Sequence, residues 1–300
     1  MNIIQTENLT KKFGDFKAVD NVSINVRIGE IYGFLGLNGA GKTTTIRLLL
    51  GMIKPNAGSI SLFGQSTKQA AKIWNDVGYL VETPYSYPDL TVKENLEVFH
   101  RLRGLKDKKL IDNVIDKLQL SQYKDKKAKY LSLGNCQRLG LAKALIHKPK
   151  LLILDEPING LDPAGIVEIR EFLKDLVHNH NTTIFLSSHI LSEISKVATR
   201  IGIVHEGKLV KEINTNELEL QIIKKLCVKT SDNRKAIDLL ADKKIIFNAT
   251  GNDIIETTNI GVIQQPEIIS EILANSRIPL KMLNVVEEDL ETYFLRIINQ

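Results

Sequence analysis

The chain predicts an α/β fold, a mostly parallel sheet flanked by helices, followed by a small α+β unit. Three observations point there. A glycine-rich loop joins an apolar run to a helical one between residues 31 and 52; a second apolar run, Leu151–Leu154, ends in two carboxylates; and from about Asn214 short strands and helices alternate.

The loop is the most informative stretch. GLNGAGKT, from Gly36 to Thr43, fits the pattern G-x-x-x-x-G-K-[ST]. Before it, Ile31–Leu35 (IYGFL) reads as a buried strand; after it, residues 44–52 have helical spacing and end near Gly51 and Pro55. Gly36, Gly39 and Gly41 let the backbone curl so that successive N–H groups face one anion, and the helix N-terminus adds its positive end. Lys42 supplies a point charge for β- and γ-phosphates, and the Thr43 hydroxyl is a ligand for Mg²⁺. Such a chain binds a nucleoside triphosphate.

At 300 residues the prior is about two domains. Hydrophobic content of 43% with 25% charged residues is that of an ordinary globular protein. No apolar run reaches the length of a membrane span, and the polar start MNIIQTENLTKKF lacks a signal-peptide core. Cys136 and Cys227 offer neither a disulfide framework nor a metal cluster, as suits a reducing cytosol. The net charge is only +5, and its densest patches, KDKK at 106–109 and KDKKAK at 124–129, lack stacking aromatics, so no nucleic-acid partner is expected.

Along the chain, Ile3-Ile4, Ala18-Val19 and residues 22–28 read as antiparallel strands, with turns at Gly14-Asp15 and Gly29. Residues 84–144 are mostly helical by period, and Thr91 to Glu94 fit a capping box that opens a helix. A second α/β stretch runs from Leu151 to about Ile213, so one core at 1–213 is split by a helical insertion. Residues 214–300 read as strand 226–229, helix 231–241, strand 245–248, a turn at Gly251-Asn252-Asp253 and strand 254–258. A helix from Pro266, a strand around 282–286 and a helix over 290–298 follow. That β-α-β-β-α-β order is the one a ferredoxin-like unit has.

In a parallel sheet, chemistry gathers at the carboxyl ends of strands. There Asp155 can hold magnesium through water and Glu156 can polarise the attacking water. The strand Ile184-Phe185-Leu186 leads into Ser187-Ser188-His189; a lone histidine is more often structural or exposed, but its place at the same sheet edge favours reading His189 as a γ-phosphate contact. His178 and His180 lie in a polar loop and read as surface residues. Leu131 to Asn135 precede a helix expected to start near Gln137-Arg138, where Ser132 and Gly134 offer either a second anion site or a simple N-cap.

These pieces, in this order, resemble the ATP-binding cassette subunits of ABC transporters over residues 1 to 213. The resemblance implies a P-loop NTPase of the ABC ATPase type: a split RecA-like core, an antiparallel β part and a helical insertion, with the small C-terminal α+β domain appended. By it, Phe13 is the aromatic that stacks on adenine, and Gly36, Leu37, Asn38, Gly39, Ala40, Gly41, Lys42, Thr43 and Thr44 are the Walker A loop. Asp155 and Glu156 are the Walker B pair, Asn159 to Asp162 the D-loop and His189 the switch histidine. Two cassettes of that family pack head to tail around ATP, so Ser132 and Gly134 of the signature motif would act on the facing chain's nucleotide.

Two departures narrow the group. Glu82 stands where most cassettes have the Q-loop glutamine, near the magnesium, and the signature reads LSLGNCQRLG rather than LSGGQ-x-QR. With the ending EEDLETYFLRII, these features look like the bacitracin-resistance and lantibiotic-immunity cassettes of Gram-positive bacteria. Asn135 and Cys136 depart even from that group's usual LSLGMKQR, and asparagine is one methylene shorter than glutamine. The resemblance implies a separate multi-span permease, a peripheral place on the cytoplasmic face of the membrane, and docking near residues 82–90, where Tyr85 and Tyr87 supply aromatic anchors. A soluble cassette ATPase acting without a membrane partner is the runner-up. Such proteins usually carry two cassettes or a long coiled-coil insertion, and this chain has one motif set and no sustained heptads. A nucleotide-binding regulator that does not hydrolyse ATP is disfavoured by Lys42, Asp155, Glu156 and His189.

Overall fold

The computed structural model describes residues 1–67, 71–82, 84–250 and 253–299 and divides into two units, Met1–Asn216 and Glu217–Gln300. In the first, β1 (Asn2–Phe13) pairs antiparallel with both β2 (Phe16–Val22) and β3 (Asn25–Arg27). The single strand expected over 22–28 is therefore two, because the chain changes partners from the second half of β1 to its first. Thr6 spans the break: its hydroxyl donates to the Val22 carbonyl at 3.1 Å and accepts from the Ile24 N–H at 2.9 Å.

Next come β4 (Ile31–Leu35), α1 (Lys42–Leu49), β5 (Ala57–Leu62), β6 (Gln65–Ser66) and β7 (Val77–Leu80). β5 and β6, for which the sequence offered no reading, complete the antiparallel sheet in the order β2-β1-β5-β6. Three helices follow, α2 (Val92–Leu102), α3 (Lys109–Lys117) and α4 (Leu133–Leu145). The capping box at α2 forms, with Thr91 Oγ1 accepting from the Glu94 N–H at 3.1 Å and Glu94 Oε2 from the Thr91 N–H at 2.7 Å. α4 begins at Leu133, earlier than the Gln137-Arg138 start expected, because Ser132 caps it by accepting from the Asn135 N–H at 3.3 Å.

The unit closes with β8 (Leu151–Leu154), α5 (Pro163–His180), β9 (Thr183–Ser188), α6 (Leu191–Ile194), β10 (Arg200–His205) and β11 (Lys208–Asn214). The second sheet has the order β11-β10-β4-β9-β8-β7, parallel except for the edge strand β11. Every residue of β4, β8 and β9 is buried, which is why these strands read as unbroken apolar runs rather than alternating ones. Leu35 lies beside Ser188 and Leu154 beside Leu186, so β4, β8 and β9 end at one edge.

The second unit contains α7 (Leu218–Gln221), β12 (Lys224–Thr230), α8 (Asn233–Asp242), β13 (Asn248–Thr250) and β14 (Ile254–Thr257). α9 (Ile260–Gln264), α10 (Glu267–Asn275), β15 (Leu280–Glu287) and α11 (Leu290–Ile298) complete it. Its sheet has the order β13-β14-β12-β15, all neighbours antiparallel. The strand expected over 245–248 starts at Asn248. Lys244 turns left-handed (φ 64°) and the Ile245 N–H returns to Leu240, so Phe247 reaches the core from a loop. Of the expected turn at 251–253, Gly251 and Asn252 lie outside the described residues.

Candidate active site

The phosphate loop leaves the buried end of β4 and enters α1. A Cβ on Gly36 would come within 2.6 Å of the Val204 carbonyl oxygen. Gly41, at φ 104°, caps α1 in a conformation other residues rarely adopt, and a Cβ there would collide with the Ala18 carbonyl. Leu37, Asn38 and Gly39 are exposed at the crest, whereas Ala40 is buried. The first N–H groups of α1 have no acceptor within the helix, so the crest and helix start form a cradle for an anion. Lys42 lies almost wholly inside, at 6% exposure; its Nζ donates to the carbonyls of Gly36 (2.8 Å) and Leu37 (3.2 Å) and is 3.4 Å from Glu156 Oε1. Thr44, the last loop residue, is half-buried in the first turn of α1.

The ends of β8 and β9 complete the cluster. Thr43 Oγ1 donates to Asp155 Oδ2 at 2.7 Å, and Ser187 Oγ donates to Asp155 Oδ1 at 2.6 Å. Glu156 follows with φ 48°, a left-handed backbone costing on the order of 1–3 kcal/mol in a non-glycine residue. It is held from both sides: its N–H donates to Ser187 Oγ at 3.0 Å, and its carbonyl accepts from Gln137 Nε2 at 3.2 Å and from the Asn159 N–H at 3.1 Å. The carboxylate lies between Lys42 and His189, whose Nδ1 is 3.0 Å from Glu156 Oε2. Thr43 and Asp155 on one side, and Lys42, Glu156 and His189 on the other, thus form two contacting sets joined through Ser187.

Other expected site residues sit apart from that cluster. Phe13, about half exposed, ends β1 opposite Phe16, with Lys11 Nζ 5.1 Å from its ring centroid. Glu82, also left-handed (φ 56°), is ion-paired with Arg47 of α1, and both are well exposed. Ser132 is exposed at the N-terminus of α4; Gly134 lies beside Gly160 and Leu161, where a Cβ would be 3.4 Å from the Gly160 carbonyl oxygen and 3.3 Å from Leu161 Cδ2. Asp162 caps α5, accepting from the Gly165 N–H at 3.0 Å. Tyr85 and Tyr87 are exposed and meet edge to face at 5.8 Å. Two side chains the sequence did not single out join the cluster, Ser187 and Gln137, while Arg47 pairs with Glu82 outside it. Ser187 alone carried a local signal, as a hydroxyl ending a buried strand beside the phosphate loop.

Comparison with known proteins fits this geometry. Residues 19–159 match the ABC transporter family. Over 303 residues the chain is 43% identical to the bacitracin transport ATP-binding protein BcrA of Bacillus licheniformis, covering 99% of this chain and 97% of that one. The chain belongs to the ABC transporter ATP-binding proteins. Over 210 residues the chain is also 37% identical to the lantibiotic transport ATP-binding protein SrtF of Streptococcus pyogenes, covering 70% of this chain and 90% of that relative. A solved ATP-binding subunit of an ABC transporter, 26% identical, superposes with a TM-score of 0.66 over 73% of this chain and 92% of that structure. The cassette is therefore a nucleotide-binding ATPase of the P-loop fold. Among the described residues no helix is long and apolar enough to cross a membrane.

Proposed function

We propose that this cassette drives an exporter of antimicrobial peptides, as one of two copies packed head to tail beneath a separate membrane permease, on the cytoplasmic face. The held Glu156 carboxylate carries the chemistry. It takes the proton of the attacking water as general base, with His189 orienting it and contacting the γ-phosphate. Lys42 turns from Glu156 to the β- and γ-phosphates, and the loop 36–44 wraps them. Phe13 stacks on adenine, and Ser132 and Gly134 reach the nucleotide of the facing chain, with Asp162 nearby.

Thr43 and Asp155 fit Mg²⁺: a hydroxyl and a carboxylate 2.7 Å apart are hard oxygen donors that leave most positions to phosphate and water. The bound ion would neutralise phosphate charge. In this reading Glu82 joins the same shell after leaving Arg47, and the exposed Tyr85 and Tyr87 dock the permease. The unit at 217–300 is a ferredoxin-like accessory module; its strand order and antiparallel pairing support that. The peptide substrate rests on likeness to BcrA along nearly the whole chain.

The test is in vivo. Deleting the gene, or replacing Lys42 by Ala in place, should sensitise the host to bacitracin or a lantibiotic, and a multi-span membrane protein should co-purify with the tagged cassette. Unchanged sensitivity to both would overturn the peptide claim while leaving the transporter assignment standing.

A further inference from the structure

α4 touches two places, the peptide of Glu156 and the loop at 84–86. Near its first turns, buried Gln137 donates to the Glu156 carbonyl at 3.2 Å. Further along, Gly140 packs on the loop at 84–86 so tightly that a Cβ would lie 2.6 Å from Pro84 Cβ. Beyond it, Lys143, only 7% exposed, donates to the Tyr85 carbonyl and to Ser86 Oγ (2.9 Å), with Nζ 5.2 Å from the Phe99 centroid. The spacing i, i+3, i+6 puts all three on one winding stripe of a helix. Burial pushes the Lys143 ammonium down to about 8, a cost accepted for a cation that ties two segments together.

We propose that α4 reports the position of the 84–86 loop to Glu156, and that Lys143 and Gln137 are positioning residues for hydrolysis. Glu156 is the sensitive receiver because its backbone is left-handed and held in place by Gln137 and Ser187. A shift of the loop moves α4 through Gly140 and Lys143, and Gln137 then re-aims the peptide that carries the carboxylate. This rests on the assignment of Glu156 as base.

The experiment is steady-state ATPase kinetics on the full chain. Lys143→Met and Gln137→Met should each lower kcat about tenfold, the worth of a buried charged or constrained hydrogen bond, with KM for ATP unchanged within about twofold. Lys143→Arg should retain most activity. Gly140→Ala, which touches no reacting group but displaces Pro84, should also lower kcat. Gln137 and Lys143 are about 9 Å apart along the helix, so independent losses would multiply; the double variant should instead be no slower than the slower single. Normal kcat in both Lys143→Met and Gly140→Ala, or multiplying losses, overturns the inference. Glu156→Gln is run alongside: if it hydrolyses ATP normally, the assignment of the base has failed instead.

Discussion

Two corners of the first unit suit an anion, and they are finished to different degrees. At the phosphate loop, Lys42 is 6% exposed and Asp155 3%, and Thr43, Asp155, Ser187 and Glu156 are linked by short hydrogen bonds across three strand ends. At the start of α4, Ser132 is exposed, its hydroxyl accepts from the helix's own Asn135 N–H, and Leu133 beside it is 60% exposed. Both use a helix N-terminus, but only the first is enclosed by the chain's own residues. Under the proposed function, this contrast is the one a chain would show that holds the reacting groups itself and takes the open corner from a second copy.

The enclosed corner should be broken most severely. Glu156→Gln preserves size but cannot accept the proton, so hydrolysis should fall by at least about 10²-fold while a fluorescent ATP analogue still binds. A near-normal rate would remove Glu156 from the chemistry. Ser187→Ala comes next. It removes a 2.6 Å donor to Asp155 and leaves the Glu156 N–H without its hydroxyl acceptor, a loss of about 1–3 kcal/mol if the peptide cannot relax. A kcat reduced roughly tenfold or more is expected, measured beside the melting temperature to separate misfolding from misplacement.

How far each corner was legible follows from the range of the interactions that build it. Lys42, Thr43, Asp155 and Glu156 sit in short patterns, an apolar run followed by a fixed set of polar residues, and local pattern is what a sequence displays. Ser187 and Gln137 act on Glu156 from 31 and 19 residues away, through bonds that leave no period in the chain. Glu82 shows the reverse difficulty: its motif position was plain, but its pairing with Arg47 depends on how α1 lies beside the end of β7. The fold divides likewise. Buried strands β4, β8 and β9 announce themselves as apolar runs, whereas the β2–β3 break follows a change of partner that only Thr6 records, and the polar start of α4 hid a helix four residues longer than its apolar spacing implied, counting from Leu133 to Gln137.

The open corner can be tested by mixing. Lys42→Ala should disable the enclosed corner, and Ser132→Ala the open one, with about 1 kcal/mol of stability lost at the cap as well. If the two corners of one site come from different chains, a mixed dimer contains one intact pair. Combining equal amounts should then restore activity to as much as about a quarter of wild type, half the random dimers being mixed and each holding one working site of two. A mixture no more active than the better variant alone would put both corners in one chain.

The smallest effect should come from the far end of α4, and it sharpens the contrast because it touches folding without touching either corner. His147 follows that helix, with Nε2 3.1 Å from the Val77 carbonyl. Burial, aided by nearby Arg103, pushes its pKa down to about 4. The unfolded chain takes up this proton near pH 6.5 and the folded chain only near 4, so between those values the unfolded state binds more protons. Stability should therefore be full above about pH 6.5, decline as the pH falls through that window, and level off below about 4. The side chain is partly solvated, so screening limits the loss to roughly 1–2 kcal/mol. Thermal melts of the wild type and of His147→Gln at pH 7 and pH 5 isolate the contribution, since the variant should lose less of its melting temperature on acidification while its ATPase rate at pH 7 stays near normal. An equal fall in both proteins would assign the acid sensitivity to other groups.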